Sequence, residues 1–387
     1  MEGQDRDAGA PSGSDGDTSV HVGRRQLLQT GVSVGASAGL VWGFGTDYVS
    51  AGRTETITYA MARPEPGSNT LEPRTREVPV EWYRSLRLAF EVQAEILEAG
   101  LSPLIGSFVV PGTLAEPAAS IRVDATDERV SATLEDVAEG VAVDVNLVDA
   151  IPPKPGPETA LADAYRVSDL ARGRVPGGVV CTAGGSFGTL APALFDAESG
   201  SRFFATSNHV FGASGTKETE HRGEPLSVRY RDDGRHVGDV RRGYPLADVV
   251  RVAPVEGFRP ASAIERATPS RVIGQYTKLG LADLVARGEP LTKVGALSGR
   301  TTGRIRGIDG VTCYSGKACK LGQVKWGDAR SILDGDSGSV TFHEDPERPG
   351  ECVLVGSINN ARSWWSGADF VWGTAAHHLL DAFGCHF

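Results

Sequence analysis

The chain has 387 residues, enough for one large or two modest domains, and 40% of them are hydrophobic, which permits a substantial core. Its formal net charge of −10 argues against nucleic acid or an anionic membrane as a partner. Lysine is scarce, 7 against 32 arginines beside 49 acidic residues; such a surface suits high salt, and a high genomic GC content gives the same arginine bias.

The first 20 residues are rich in Gly, Asp and Ser and lack periodicity, so they are predicted to be disordered. Arg24-Arg25 then precedes the small, weakly apolar run Gly31–Gly45, the pattern of a twin-arginine export signal, and Val49-Ser-Ala51 offers a small-residue cleavage site. Left uncut, the run would be a membrane anchor, although about 15 residues is short for a span. Residues 1–51 are therefore read as disordered N-terminus and signal, with the mature protein exported to an extracellular or cell-surface location.

Residues 52–78 are polar and contain proline, the composition of a linker. Over 79–150 a small α+β unit is predicted. Trp82, Leu86, Ala89, Phe90, Val92, Ile96 and Leu97 recur at helical spacing before Gly100, and strand-like runs follow at Leu104–Val110, Ala118–Val123 and Val141–Val148. The helix stripe reads as core. Residues 151–174, opening on Ile151-Pro-Pro-Lys-Pro-Gly-Pro157, form a stiff connector.

From 175 to 387 short apolar runs alternate with Gly/Asp/Pro turns, including Ser201–Ala205, Leu226–Tyr230, Asp248–Val252, Leu291–Val294, Val340–Phe342 and Cys352–Ile358. Many short strands separated by turns predict a barrel or sandwich. Ala375–Phe383 is predicted as a C-terminal helix. The five cysteines are too few for a disulfide-built scaffold; Cys313 and Cys319 either close a short loop or are ordinary thiols. No Cys/His spacing suggests a metal, and no cofactor is implied. The pair His377-His378 is too isolated to hold one.

Three short stretches carry chemistry. Gly335-Asp-Ser-Gly338 places a serine between turn-forming residues just ahead of a strand, where the Gly335 and Ser337 N–H groups can converge on one point. A serine hydroxyl needs an imidazole to take its proton, and the imidazole needs a carboxylate to fix its tautomer. In Phe203–Phe211 a strand-like apolar run ends in His209, and Asp248 stands at the mouth of another β-branched run.

Thr206-Ser-Asn-His209, Leu246-Ala-Asp-Val249 and Gly335-Asp-Ser-Gly338, in that order, resemble the histidine, aspartate and nucleophile segments of the chymotrypsin/trypsin-like serine peptidases. Thr292–Gly303 and the small unit before residue 150 are similar to features of a bacterial and plant subgroup of that family. The resemblance implies a mainly β fold of two six-stranded β-barrels, preceded by the small α+β domain. It implies a serine endopeptidase cleaving a peptide or protein substrate, with His209 as general base and acid, Asp248 as its orienter and Ser337 as nucleophile. Gly335 and Ser337 would supply the oxyanion hole, and Asp336 an internal ion pair or hydrogen bond.

By the same mapping Ser331 lies at the base of the substrate pocket. Its neutral hydroxyl suits an apolar or small side chain better than Arg or Lys. Val355-Gly-Ser-Ile-Asn-Asn360, with Ser357, matches the strand that pairs with substrate. No Ile-Val-Gly-Gly type N-terminus precedes the barrel region, so no zymogen step of the trypsin kind is expected. The competing expectation is a peptidase-fold protein that binds or scaffolds peptides with little turnover. The role of 79–150 stays open among folding aid, cap and assembly surface, as does the oligomeric state.

Overall fold

The computed structural model describes residues 53–65, 68–101, 103–131, 134, 138–149, 164–212, 220–314, 318–363 and 369–387. The twin-arginine stretch and the proline-rich segment 151–157 lie outside the described residues.

Residues expected to be a linker form strands. β1 (Thr54–Ala62) and β2 (Glu72–Pro79) pair antiparallel, so the expectation of a linker over 52–78 is corrected. The polar face of β2 is exposed, which is why its sequence reads as unstructured, whereas β1 buries Ile57, Tyr59 and Ala60. α1 (Val80–Glu98) follows and buries Trp82, Leu86, Ala89, Val92 and Ile96, residues three or four apart that share one face. Gly100 ends it in the left-handed region. β3 (Leu104–Val110), β4 (Ser120–Ala125) and β5 (Ala142–Leu147) complete the unit.

The next strands are β6 (Arg174–Gly177), β7 (Val180–Ala183), β8 (Ser186–Thr189), β9 (Leu194–Asp196), β10 (Arg202–Thr206), β11 (Pro225–Tyr230), β12 (Asp233–Tyr244) and β13 (Val249–Pro254). The ladder runs β9-β10-β13-β12-β11-β7-β8. Between β8 and β9 the Ala191 N–H donates to the Ala205 carbonyl at 2.8 Å, so 186–196 acts as one bent strand and closes a six-membered ring. Val179, Leu190, Phe204, Leu226, Val237 and Val252 fill it.

β14 (Arg259–Ile264) pairs in parallel with β6, and β15 (Val272–Tyr276) leads into α2 (Lys278–Arg287). A second ring follows: β16 (Pro290–Gly295), β17 (Gly299–Tyr314), β18 (Ala318–Trp326), β19 (Val340–Glu344), β20 (Val353–Arg362) and β21 (Val371–Ala375). β16 pairs with β17, β17 with β18, β18 with β21, β21 with β20, β20 with β19 and β19 with β16, a closed circuit. Both rings share one order, first-second-third-sixth-fifth-fourth. This is the two-barrel architecture expected above. α3 (Ala376–Phe383) and β22 (Cys385–His386) end the chain, β22 pairing back onto β9.

The α+β unit shares its sheet with the second barrel. β3 pairs with β17 and β1 with β15, giving a 12-stranded sheet, so no break in the sheet falls at the expected boundary of residue 150. Cys313 and Cys319 form a disulfide across the tip of the β17–β18 hairpin, while Cys181, Cys352 and Cys385 are buried free thiols.

Candidate active site

His209 sits in the tight turn Asn208–Phe211 that follows β10. Its Nδ1 lies 2.8 Å from Asp248 Oδ2, and its backbone N–H donates to Asp248 Oδ1 at 3.0 Å. Asp248 adopts φ +52 at the end of a turn in which Ala247 N–H and Asp248 N–H bond to the carbonyls of Tyr244 and Pro245. Aspartate tolerates this left-handed conformation better than most side chains. The Asp248 carbonyl in turn accepts from the Asn208 N–H at 3.1 Å, so histidine and aspartate are coupled through backbone and side chain alike. The Asp248 side chain is 5% exposed and that of His209 27%, which leaves the imidazole reachable and the carboxylate shielded.

Burial alone would raise the Asp248 carboxyl, but the neighbouring His209 and Lys320 outweigh it and hold the group far below the usual carboxylate range. Lys320, from β18, places Nζ 2.7 Å from Asp248 Oδ2. Sequence reasoning missed this lysine. It lies 72 residues from Asp248, and only the folding of the second barrel brings it there. Its rarity, one of 7 lysines next to a paired cysteine, is the only local signal.

The serine loop is locked by its neighbours. Asp336 is fully buried against Lys293 of β16, with Nζ–Oδ2 2.9 Å, and also accepts from the N–H groups of Leu297, Ser298 and Leu333. Burial would raise its carboxyl; the Lys293 ammonium and these amides bring it below the ordinary value. The expected internal partner is thus the lysine of the Lys293-Val-Gly295 stretch. Thr189 clamps the loop from the first barrel: its N–H donates to the Ser337 carbonyl at 2.8 Å and its Oγ1 to the Gly335 carbonyl at 2.9 Å.

Gly338 packs against the histidine segment. A Cβ there would stand 2.2 Å from Thr206 Oγ1 and 2.9 Å from the Ser207 nitrogen. Gly188 is similarly squeezed between the Val210 side chain and the Ser337 carbonyl. The loop carrying Ser337 therefore packs directly against Thr206 and Ser207, which lead into the turn carrying His209. Ser337 Oγ donates to the Asn360 carbonyl at 3.3 Å, and among the described residues no hydrogen bond joins it to His209. Among the described residues the N–H groups of Gly335 and Ser337 have no acceptor, whereas Asp336 N–H and Gly338 N–H bond to Leu333 and Asn359.

Asn360 was not singled out by sequence, yet it joins the two halves. Its Nδ2 donates to Thr374 Oγ1 at 2.9 Å, and Thr374 Oγ1 donates to the Ala247 carbonyl at 2.7 Å, next to Asp248. The expected pocket residues lie elsewhere. Ser357 is fully buried with its Oγ 2.7 Å from Thr341 Oγ1, so its assignment to a substrate pocket is corrected. The register of β20, fixed by Gly338 N–H to Asn359 O at 2.9 Å, brings Asn360 to the serine instead. Ser331 is buried in the turn Ala329–Ser331, its Oγ accepting from the Asp328 N–H and donating to Asp328 Oδ1. A hydroxyl engaged in this way caps the turn and is not offered to a substrate. Among the described residues no three His, Cys, Asp or Glu side chains gather as a metal site.

No protein-family profile matches the chain, and no curated protein matches it. Similar solved structures are proteases. A glutamic-acid-specific serine protease is 21% identical, with 55% of this chain and 99% of that chain covered at a TM-score of 0.40. Protease A of Thermobifida fusca is 16% identical over 55% and 97%, at 0.38. The chymotrypsin of Cellulomonas bogoriensis is 16% identical over 55% and 98%, at 0.37. The chemistry available to the site rests on its own residues.

Proposed function

We propose that the protein is a serine endopeptidase acting through His209, Asp248 and Ser337. The observation that carries this reading is the buried Asp248 holding both the ring and the backbone of a reachable His209, with the Ser337 loop pressed against Thr206 and Ser207 at the entry to the same turn. In the reaction Ser337 Oγ leaves the Asn360 carbonyl and attacks the substrate carbonyl carbon, passing its proton to His209 Nε2. The Gly335 and Ser337 N–H groups, which have no acceptor among the described residues, take up the developing oxyanion. The carbon–nitrogen bond then breaks as His209 protonates the leaving amine, and water, deprotonated by His209, releases the acyl group from Ser337. Asp248 stays ionised throughout and keeps Nδ1 protonated.

The substrate is a peptide or protein. Twin-arginine export to the cell surface or beyond is part of the proposal and rests on residues 24–51 of the sequence. The test is labelling of the folded protein by a fluorophosphonate. Wild type reacts, and Ser337→Ala and His209→Ala do not; wild type that fails to react defeats the reading.

One observation favours a second reading. Among the described residues Ser337 Oγ is hydrogen-bonded to the Asn360 carbonyl and not to His209, so the hydroxyl is not engaged by its base, as in a protein that would hold peptides with little turnover. Peptide binding by wild type without labelling or cleavage selects it.

A further inference from the structure

Arg63, Arg174, Arg202, Arg259 and Arg271 line one cavity of about 360 Å³. They come from five segments: Arg63 directly after β1, Arg174 at the start of β6, Arg202 of β10, Arg259 of β14, and Arg271 directly before β15. Among the described residues none of the five forms a salt bridge, whereas other part-buried arginines such as Arg74, Arg76 and Arg251 are paired with Asp345, Asp283 and Asp196. The one acidic side chain among the described lining residues is Glu65. A protein of net charge −10 has gathered five guanidiniums against one carboxylate.

Two of these groups are incompletely satisfied. Arg63 is 3% exposed; its Nη2 donates to the Val272 carbonyl at 2.8 Å, while Nη1 is buried without a partner. Nε of Arg271 is buried without one too. Buried donors left unpaired cost free energy. Arg63 and Arg202 both lie over the Phe195 ring, at 4.6 and 5.1 Å, and Arg174 faces Arg259 across the β6–β14 ladder. Like charges held opposite one another in a sheet repel. Burial, with the cations of Arg202 and Arg271, pushes the Arg63 guanidinium down to about 10.

We propose that this cavity binds a multivalent oxyanion of the phosphate class. Guanidinium forks match tetrahedral oxyanions in two-point hydrogen bonds, and five of them exceed what a single carboxylate engages. The site is separate from the candidate active site, since Arg202 opens β10 and His209 follows its far end. The anion would join the N-terminal hairpin, the first barrel and the strand entering the second barrel. Its main effect is therefore on stability, by preferential binding to the folded state.

Thermal unfolding of the full chain in inorganic pyrophosphate tests this. The expected result is a rise in Tm of several degrees that grows with pyrophosphate concentration and is absent in chloride of matched ionic strength. Arg202 and Arg259 are exposed, so Arg202→Glu and Arg259→Glu leave the core intact and should abolish the rise; Arg63→Met is avoided as a primary variant because its side chain is buried. A second arm uses vesicles containing phosphatidic acid. Co-sedimentation lost in Arg202→Glu assigns a lipid headgroup, and the pyrophosphate response without co-sedimentation assigns a soluble anion; either upholds the site. An equal response in wild type and both variants, or none in either arm, overturns it.

Discussion

Lys320 and His209 meet the same oxygen of Asp248, the ammonium at 2.7 Å and the imidazole Nδ1 at 2.8 Å. The carboxylate thus serves two cations whenever the imidazole is protonated. The lysine belongs to the second barrel and the other two residues to the first, so the pair also fixes one barrel against the other.

Lys320 is one of the two neighbours that hold the Asp248 carboxyl low. Lys320→Met should therefore raise that carboxyl and move the acidic limb of the pH profile of kcat/KM to higher pH. Peptide hydrolysis measured from pH 4 to 9 checks this. A limb that stays in place would mean that Lys320 acts only as a mechanical pin.

The Lys293–Asp336 pair is fully buried, and Asp336→Asn leaves the ammonium with the Ser298 hydroxyl as a partner but no counter-charge. The loss should be about 3–5 kcal/mol in denaturant unfolding. The sign with pH follows from the depressed carboxyl of Asp336. Its contribution is present above the unfolded value of 3.8 and is lost as pH falls through the lower folded value. Wild type should thus lose stability as pH falls below 3.8 more steeply than the Asn variant.

Gly338→Ala tests the contact between the serine loop and the histidine turn. The new methyl would meet Thr206 Oγ1 at 2.2 Å and the Thr189 carbonyl at 2.3 Å, at a φ of +92. Displacing Ser337 by even 1 Å should slow fluorophosphonate labelling about 100-fold. Labelling at the wild-type rate would show that this contact does not set the geometry.

Thiol titration reads the cysteine assignment directly. Cys181, Cys352 and Cys385 are buried, and burial raises the thiols of Cys181 and Cys352 to about 12 and about 11. Ellman's reagent should find almost no reactive thiol in the native protein and three after unfolding without reductant. Replacing Cys313 and Cys319 by alanine should cost about 2 kcal/mol, the chain-entropy value for so short a loop.

The residues that announced themselves in the sequence did so because their chemistry is local. Gly335-Asp-Ser-Gly338 needs its glycines for a turn, and His209 and Asp248 each follow or precede a strand-like run. Lys320 and Asn360 were not legible, because each reaches the site only through strand register within the second barrel. Ser357 was misassigned for the same reason: a shift of three residues along β20 separates a buried sheet hydroxyl from the carbonyl that meets Ser337. β1 and β2 were read as a linker because β2 is a polar strand with one neighbour, so its sequence lacks the apolar alternation of a core strand. The helix α1, by contrast, declared itself through the 3.6-residue spacing of Trp82, Leu86 and Ala89.

The ladder between β1 and β15 pairs Ala60 with Tyr276. During synthesis the early strand therefore waits, its outer partner still unmade, until more than half of the chain has left the ribosome. The same holds for β3, whose partner β17 comes later still. An N-terminal fragment ending before residue 272 would carry both strands with unsatisfied edges, open to pairing with other copies. What is made first is thus completed last: one edge of β1 and one of β3 are closed only once β15 and β17 have been made.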